Sequence, residues 1–269
     1  EKKNEALFHY DFITKKPNNN YYTEALKYAG EITFDAKDYK NALAYFSTLE
    51  DVSMDEEDLS LSVKGQFYCF YYLNNPISTI KYAKKTLRLS NINKKLKEDS
   101  YLYLAKSYQS VNQLDSAIIY YDSIMYFTKS IAAAESKYHI CEIAYERKSY
   151  ELCESLIMEL VQQKPSYDYW LAKGILLLGD NFTAQNDYFN AKHSVESIIE
   201  NYDGFNKKEI VDEAVLKLES IIKLENDARQ EQPVQQDIEI ELEPIEDVNS
   251  NLEPEIIEIN STKNNQDEN

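Results

Sequence analysis

Apolar positions recur along this chain at helical spacing. Tyr101, Leu104, Ala105 and Tyr108 stand at i, i+3, i+4 and i+7, one face of an α-helix. Leu26, Ala29, Gly30 and Thr33 repeat the pattern, and so do Ile175, Leu178, Gly179 and Phe182. A second pattern follows each first one: a small residue with a larger one four positions on. It is found at Ala6/Tyr10, Ala42/Phe46, Ala117/Tyr121, Cys153/Ile157 and Ala191/Val195, with Thr79/Ala83 as a degenerate copy. Successive copies lie 36 to 38 residues apart. Spacing this regular predicts a repeat architecture. The unit is a hairpin of two helices. Gly30, Ala105, Cys141 and Gly179 of the first helices meet Ala42, Ala117, Cys153 and Ala191 of the second, and larger residues fill around that close approach.

The predicted fold is all-α, a right-handed α-solenoid of stacked antiparallel helix pairs. Residues 4–15 read as a second helix without its first, so the chain is read as a piece that opens mid-repeat. Units follow at 21–50, 58–89, 98–127, 131–163 and 168–200. Turns are expected at 36–39 and at Asn74-Asn75-Pro76, where proline can restart a helix. One further amphipathic helix, about 207–225, would cap the last open hydrophobic face. The helical-repeat domain is therefore placed at 1–225 and an acidic tail at 226–269.

Composition sharpens this division. Glycine (5) and proline (6) are scarce among 269 residues, which favours long uninterrupted helices. The formal net charge is -18, and residues 226–269 hold 13 acidic and 2 basic residues, so −11 of it sits in the tail. The tail has too little apolar surface to offset its ordering entropy, and disorder is the expectation there. Within it, Ile238-Glu-Ile-Glu-Leu-Glu243 alternates with period two, as a strand added to a partner's sheet edge would. A mildly acidic body argues against nucleic-acid binding. No apolar run approaches the ~20 residues of a membrane-spanning helix.

The hairpin residues resemble the tetratricopeptide repeat (TPR) family. Its W-x2-L-G-x2-Y…A-x3-F…P pattern is matched most closely at 101–124 and 175–198. Pro165 falls at the family's terminal proline. The resemblance covers about 1–200. The wording of 169–180 and 188–192 resembles the C-terminal end of large cell-envelope TPR proteins of Bacteroidota. The resemblance implies a non-enzymatic protein–protein interaction scaffold, periplasmic or outer-membrane-associated, without cofactor. The partner would be a peptide or helix on the concave face, which first helices line. On the pattern's register, the outward positions there are Glu24, Lys27, Glu31 and Phe34, then Lys64, Tyr68 and Tyr71, then Lys106 and Gln109, then Tyr138, Glu142 and Tyr145, then Lys173 and Asp180. One subfamily holds a terminal carboxylate with Lys and Asn. Glu31 follows Lys27 where that Asn would be needed, so no such clamp is expected. A tyrosine-rich face also suits a carbohydrate, with Tyr138 and Tyr145 as its platform. A regulatory domain of a larger enzyme is a third reading.

Candidate chemistry is sparse. His9, His139 and His193 read as isolated, with no carboxylate or cysteine at ligand spacing. No phosphate-binding loop, nucleophile elbow or metal-ligand spacing is found. Cys141 and Cys153 face each other across one hairpin, either as packed thiols or as a disulfide. Cys69 has no partner. The basic run Lys81, Lys84, Lys85, Arg88, Lys94, Lys95 and Lys97 reads as a solvated patch toward the convex side.

Overall fold

A computed structural model describes residues 2–231; the readings made for the tail beyond them lie outside the described residues. Twelve helices, and no strand among the described residues, follow one another: α1 Lys2–Thr14, α2 Tyr22–Asp35, α3 Tyr39–Val52, α4 Glu56–Tyr72, α5 Pro76–Thr86, α6 Lys94–Ser110, α7 Leu114–Phe127, α8 Ile131–Glu146, α9 Tyr150–Gln162, α10 Asp168–Ala184, α11 Tyr188–Asn201 and α12 Lys207–Glu231. From α1 to α11 each helix packs on the next, and α2–α4 and α8–α10 also touch. The result is an α-solenoid of stacked hairpins.

One turn joins the two helices of every hairpin. Its middle residue has positive φ: Lys37, Asn74, Asn112, Lys148 and Asn186. The residue after it donates its backbone N–H to a carbonyl five positions back, as from Asp38 to Thr33 (2.9 Å) and from Gln113 to Tyr108 (2.8 Å). This closes the first helix with a left-handed cap. Three turns use Asn for that conformation, the residue after glycine that best tolerates it. Asp38, Asn75 and Asp187 then start the second helix, their side chains accepting from the backbone N–H of Asn41, Ser78 and Asn190. A single residue thus ends one helix and begins another.

Two helices are longer than the apolar pattern indicated. α6 starts at Lys94, not at 98, because Asn93 caps it and Lys95 pairs with Asp99 one turn on. α12 continues to Glu231, past the expected end at 225, and Arg229 pairs with Glu225 on its surface. The first extension adds Leu96, which is buried in the core, but a lone apolar residue among lysines gives no helical period to read.

The core confirms the hairpin packing. A Cβ on Gly179 would lie 2.6 Å from Val195 and 3.5 Å from the Ala191 carbonyl, so only hydrogen fits there. Phe46 lies between Gly30 and Gly65, whose added Cβ atoms would stand 2.8 and 2.4 Å from its ring. Unit three departs from the rule. By position before its turn, Phe67 occupies the small-residue site, and it is fully buried against α6 residues. Burial of each such large side chain contributes about 1.5–3 kcal/mol. Ile210, Ala214 and Ile221 of α12 complete the core with Ala191, Val195 and Ile198 of α11.

Candidate interaction face

The residues expected on the concave wall divide into two sets. Toward the N-terminal end they are mostly rings. Phe34 packs on Tyr39 at 5.4 Å, and on Tyr68 and Tyr72 at 6.2 and 6.1 Å. Tyr71 stacks on Tyr103 with centroids 3.6 Å apart and planes 4° off parallel. The Tyr68 hydroxyl donates to Asp99 at 2.8 Å. Burial and that carboxylate raise the Tyr68 phenol above its ordinary range. Lys27 pairs with Asp58 at 3.5 Å. Glu31 and Lys64 line an open groove of about 570 Å3 with Glu57 and Ser60, and form no ion pair among the described residues.

Toward the C-terminal end the expected residues are tied to the next unit by charge. Lys106 of α6 pairs with Glu135 of α8. Lys173 of α10 pairs with Glu213 of α12 at 2.9 Å, and Asp180 of α10 with Lys217 of α12 at 2.6 Å. Gln109 accepts from the Tyr121 hydroxyl at 2.8 Å. Tyr145 lies against Tyr150 at 6.1 Å. The three ion pairs bridge successive inner helices, so these wall charges fasten the solenoid.

Two expectations need correction. Tyr138 is 7% exposed, with its ring 5.3 Å from that of Trp170. Its position on the helix is outward, but Trp170 of the next unit closes over it, so it offers no platform to a sugar. His139 is not isolated. Glu135 and Glu142 flank it on α8, one turn before and one turn after. Its Nδ1 stands 2.5 Å from Glu142 Oε2, and its Nε2 is 3.9 Å from Glu135 Oε1. The Tyr121 ring stacks on the imidazole at 5.3 Å. Burial disfavours the imidazolium, but the two carboxylates outweigh it and hold His139 above its ordinary 6.5. Glu135 and Glu142 are held below the ordinary 4.5: burial opposes this, and His139 and Lys106 outweigh it at Glu135, His139 and Tyr138 at Glu142. The signal was present in the sequence as Glu135-x3-His139-x2-Glu142, which helical geometry brings to one face.

The basic run is also engaged. Lys85 pairs with Glu50 and Lys95 with Asp99, while Lys84 lies over the Tyr108 ring at 5.3 Å and Lys97 over Phe127 at 5.0 Å. Lys94, Lys95 and Lys97 belong to α6, a first helix, not to a convex loop. Cys141 and Cys153 are buried free thiols, with Cys153 Sγ donating to the Cys141 carbonyl at 3.5 Å. Burial pushes the Cys141 and Cys69 thiols up to about 12 and that of Cys153 up to about 11. Cysteines so protonated are poor nucleophiles. Among the described residues no group of three or more His, Cys, Asp or Glu side chains could hold a metal ion, and no helix is long and apolar enough to cross a membrane.

No family model and no curated protein matches this chain by sequence. Solved structures do match it. A tetratricopeptide repeat protein from Parabacteroides merdae superposes with a TM-score of 0.53 at 14% identity, covering 80% of this chain and 87% of that one. The C-terminal part of a TPR repeat-containing protein from Cytophaga hutchinsonii gives a TM-score of 0.54 at 16% identity, covering 74% and 79%. With hairpins that stack in sequence, small residues at their contacts and these neighbours, the chain has the all-α solenoid fold of tetratricopeptide repeat proteins.

Proposed function

We propose that the chain is a non-enzymatic scaffold that holds a segment of a partner protein along the inner wall of its solenoid. A helical-repeat fold of this kind is typical of protein–protein interaction. One observation carries the finer reading: open grooves occur between consecutive first helices along that wall. One lies between α2 and α4, at Lys27, Glu31 and Lys64. Another, of about 1050 Å3, runs along α12, at Asp212, Glu213, Leu216 and Lys217, with Asp180 of α10 at its edge. Rigid helices on both sides present side chains at fixed spacing, which lowers the ordering cost of binding. The resemblance of 169–180 and 188–192 to envelope proteins supports a periplasmic or outer-membrane-associated site of action.

A photo-crosslinking residue tests the proposal. It is placed at Glu31 or Lys64 on the inner wall, and for comparison at Tyr126, which is 95% exposed on the second helix α7. Capture of the same partner from both inner positions, and not from Tyr126, is expected from envelope fractions. Capture through Tyr126 alone would move the function to the outer face. Capture from soluble cytoplasmic fractions alone would remove the envelope assignment.

A further inference from the structure

Equivalent places in two hairpins are filled differently. Ala105 and Ala117 of the α6–α7 hairpin correspond to Gly179 and Ala191 of the α10–α11 hairpin, a constant 74 positions on. At the end of the α6–α7 hairpin away from its turn, three rings meet where α6 starts and α7 ends. Tyr101 lies 5.7 Å from Phe127 and 6.2 Å from Tyr120, and Lys97 stands over the Phe127 ring at 5.0 Å. The corresponding positions in the α10–α11 hairpin hold Ile175, Asn201, Ser194 and Leu171. None of them carries a ring or a charge. A crevice of about 410 Å3 opens there, with Leu171, Ile175, Ile198 and Asn201 among its lining. Leu171 and Ile175 stand two residues to either side of Lys173, on the opposite face of α10, so the crevice is separate from the inner wall.

The floor of the crevice is apolar, because its polar side chains are turned onto the backbone. Asn201 Nδ2 donates to the Ser197 carbonyl at 3.0 Å, and Ser197 Oγ to the Ser194 carbonyl at 2.7 Å. The buried Tyr202 borders the crevice and donates its hydroxyl to the Phe205 carbonyl at 2.6 Å. The edge, in contrast, is acidic. The Asp168 carboxylate forms no ion pair and no hydrogen bond among the described residues. Asp203 meets Lys207 at 2.9 Å, but it is 87% exposed, and a pair so open to water holds its partner weakly.

The α6–α7 hairpin shows what fits such a place: an aromatic ring with a cation beside it, as Phe127 has Lys97. The α10–α11 hairpin lacks both and sets carboxylates at the edge instead. A guest that restores the missing ring buries apolar surface on Leu171, Ile175 and Ile198. A cation on the same guest meets Asp168, whereas an anionic guest would meet two carboxylates. We propose that this crevice receives an aromatic side chain of a partner protein whose sequence neighbour is Lys or Arg, with the ring on the apolar floor and the cation at Asp168. It would serve as an anchor point, independent of the inner wall.

Titration of the full chain with the capped peptide acetyl-Gly-Phe-Arg-Gly-amide tests this, followed by NMR of labelled leucine and isoleucine methyl groups. Saturable shifts are expected at Leu171, Ile175 and Ile198. Affinity should fall when salt is raised to about 0.5 M. Replacing Phe by Leu, or Arg by Glu, in the peptide should weaken binding at least fivefold. Asp168→Asn should weaken it about threefold, the size of one exposed charge pair. Ile175→Tyr combined with Asn201→Phe copies the α6–α7 hairpin, and should abolish binding while circular dichroism stays that of the parent. Absence of saturable shifts at these methyl groups overturns the proposal, as does equal affinity for the Leu-Arg or Phe-Glu peptide, or parental affinity in Asp168→Asn. Tighter binding of free phenethylamine than of the peptide would assign the crevice to a small aromatic amine and overturn the partner assignment.

Discussion

Between α2 and α6 the inner wall is joined mainly by rings, with Lys27–Asp58 as one ion pair; ion pairs join α6 to α8 and α10 to α12, while Tyr138 and Trp170 join α8 to α10. In the first region Phe34, Tyr39, Tyr68, Tyr71, Tyr72 and Tyr103 touch one another across three units. At the α6–α8 and α10–α12 seams, Lys106–Glu135, Lys173–Glu213 and Asp180–Lys217 do the same work with charge. The neighbours in a solenoid interact only with each other, so each seam needs its own fastening. Ring contacts depend on buried area and resist salt. Charge pairs at a half-exposed wall are weakened by salt and by titration. One fold thus carries a seam that is insensitive to conditions beside seams that respond to them.

Phe67→Ala should break the comparison most strongly. It empties a fully buried site beneath the ring seam and should cost about 3–5 kcal/mol, equally in low and high salt. Urea unfolding measures it; a loss below ~1 kcal/mol would mean that alanine restores the regular hairpin packing. Gly65→Ala comes next. Its new Cβ would stand 2.4 Å from the buried Phe46 ring, and overpacking of this kind costs about 1–3 kcal/mol.

Glu135→Gln probes the charged region. Lys106 and His139 lose a carboxylate, at about 1–2 kcal/mol after allowance for partial exposure. The loss should shrink in ~1 M salt, where that of Phe67→Ala does not. Equal salt dependence for both variants would erase the distinction between the regions.

The same cluster sets a pH dependence. His139 is raised in the folded state, so its contribution is complete below about 6.5 and is lost as pH rises through the folded value. Glu135 and Glu142 are lowered, so theirs is complete above about 4.5 and is lost as pH falls through the folded values. Stability should pass through a maximum between these limits. His139→Gln should flatten the alkaline side, and thermal unfolding across pH reads the result. An unchanged alkaline slope would place the imidazole outside the network.

The smallest effect is expected in the turns. Lys148 and Asn74 both hold left-handed φ values, 56° and 53°. Lys148→Gly should stabilise by about 0.5–1 kcal/mol, and Asn74→Gly by less, because asparagine already tolerates the conformation. A fall in melting temperature for Lys148→Gly would show that its side chain contributes contacts beyond the turn.

Much of the fold was legible before any coordinates. The recurring small-plus-large step located every hairpin from α2 to α11, because the contact it makes is local to one unit. Turns were expected at 36–39 and at Asn74-Asn75-Pro76, where Lys37 and Asn74 take left-handed φ, but those at Asn112, Lys148 and Asn186 had not been read from the sequence. The wall was legible only in outline. Lys64, Tyr68 and Tyr71 are partly exposed, but Tyr138 is covered by Trp170, some thirty residues on. The Glu135–His139–Glu142 face was readable from spacing alone and went unread because histidine was weighed against metal ligands and not against helical neighbours.

Sequence by itself determined the repeat, the helix pairing and the positions that must stay small, since a hairpin's contacts lie within one period of the chain. Tertiary structure decided which wall residues remain free. Lys106 and Glu135, Asp180 and Lys217, or Tyr71 and Tyr103 stand about one unit apart, and no local pattern states whether such side chains meet. Whether they do depends on how far each hairpin rotates and separates from the last, which the packing around residues such as Phe67 sets.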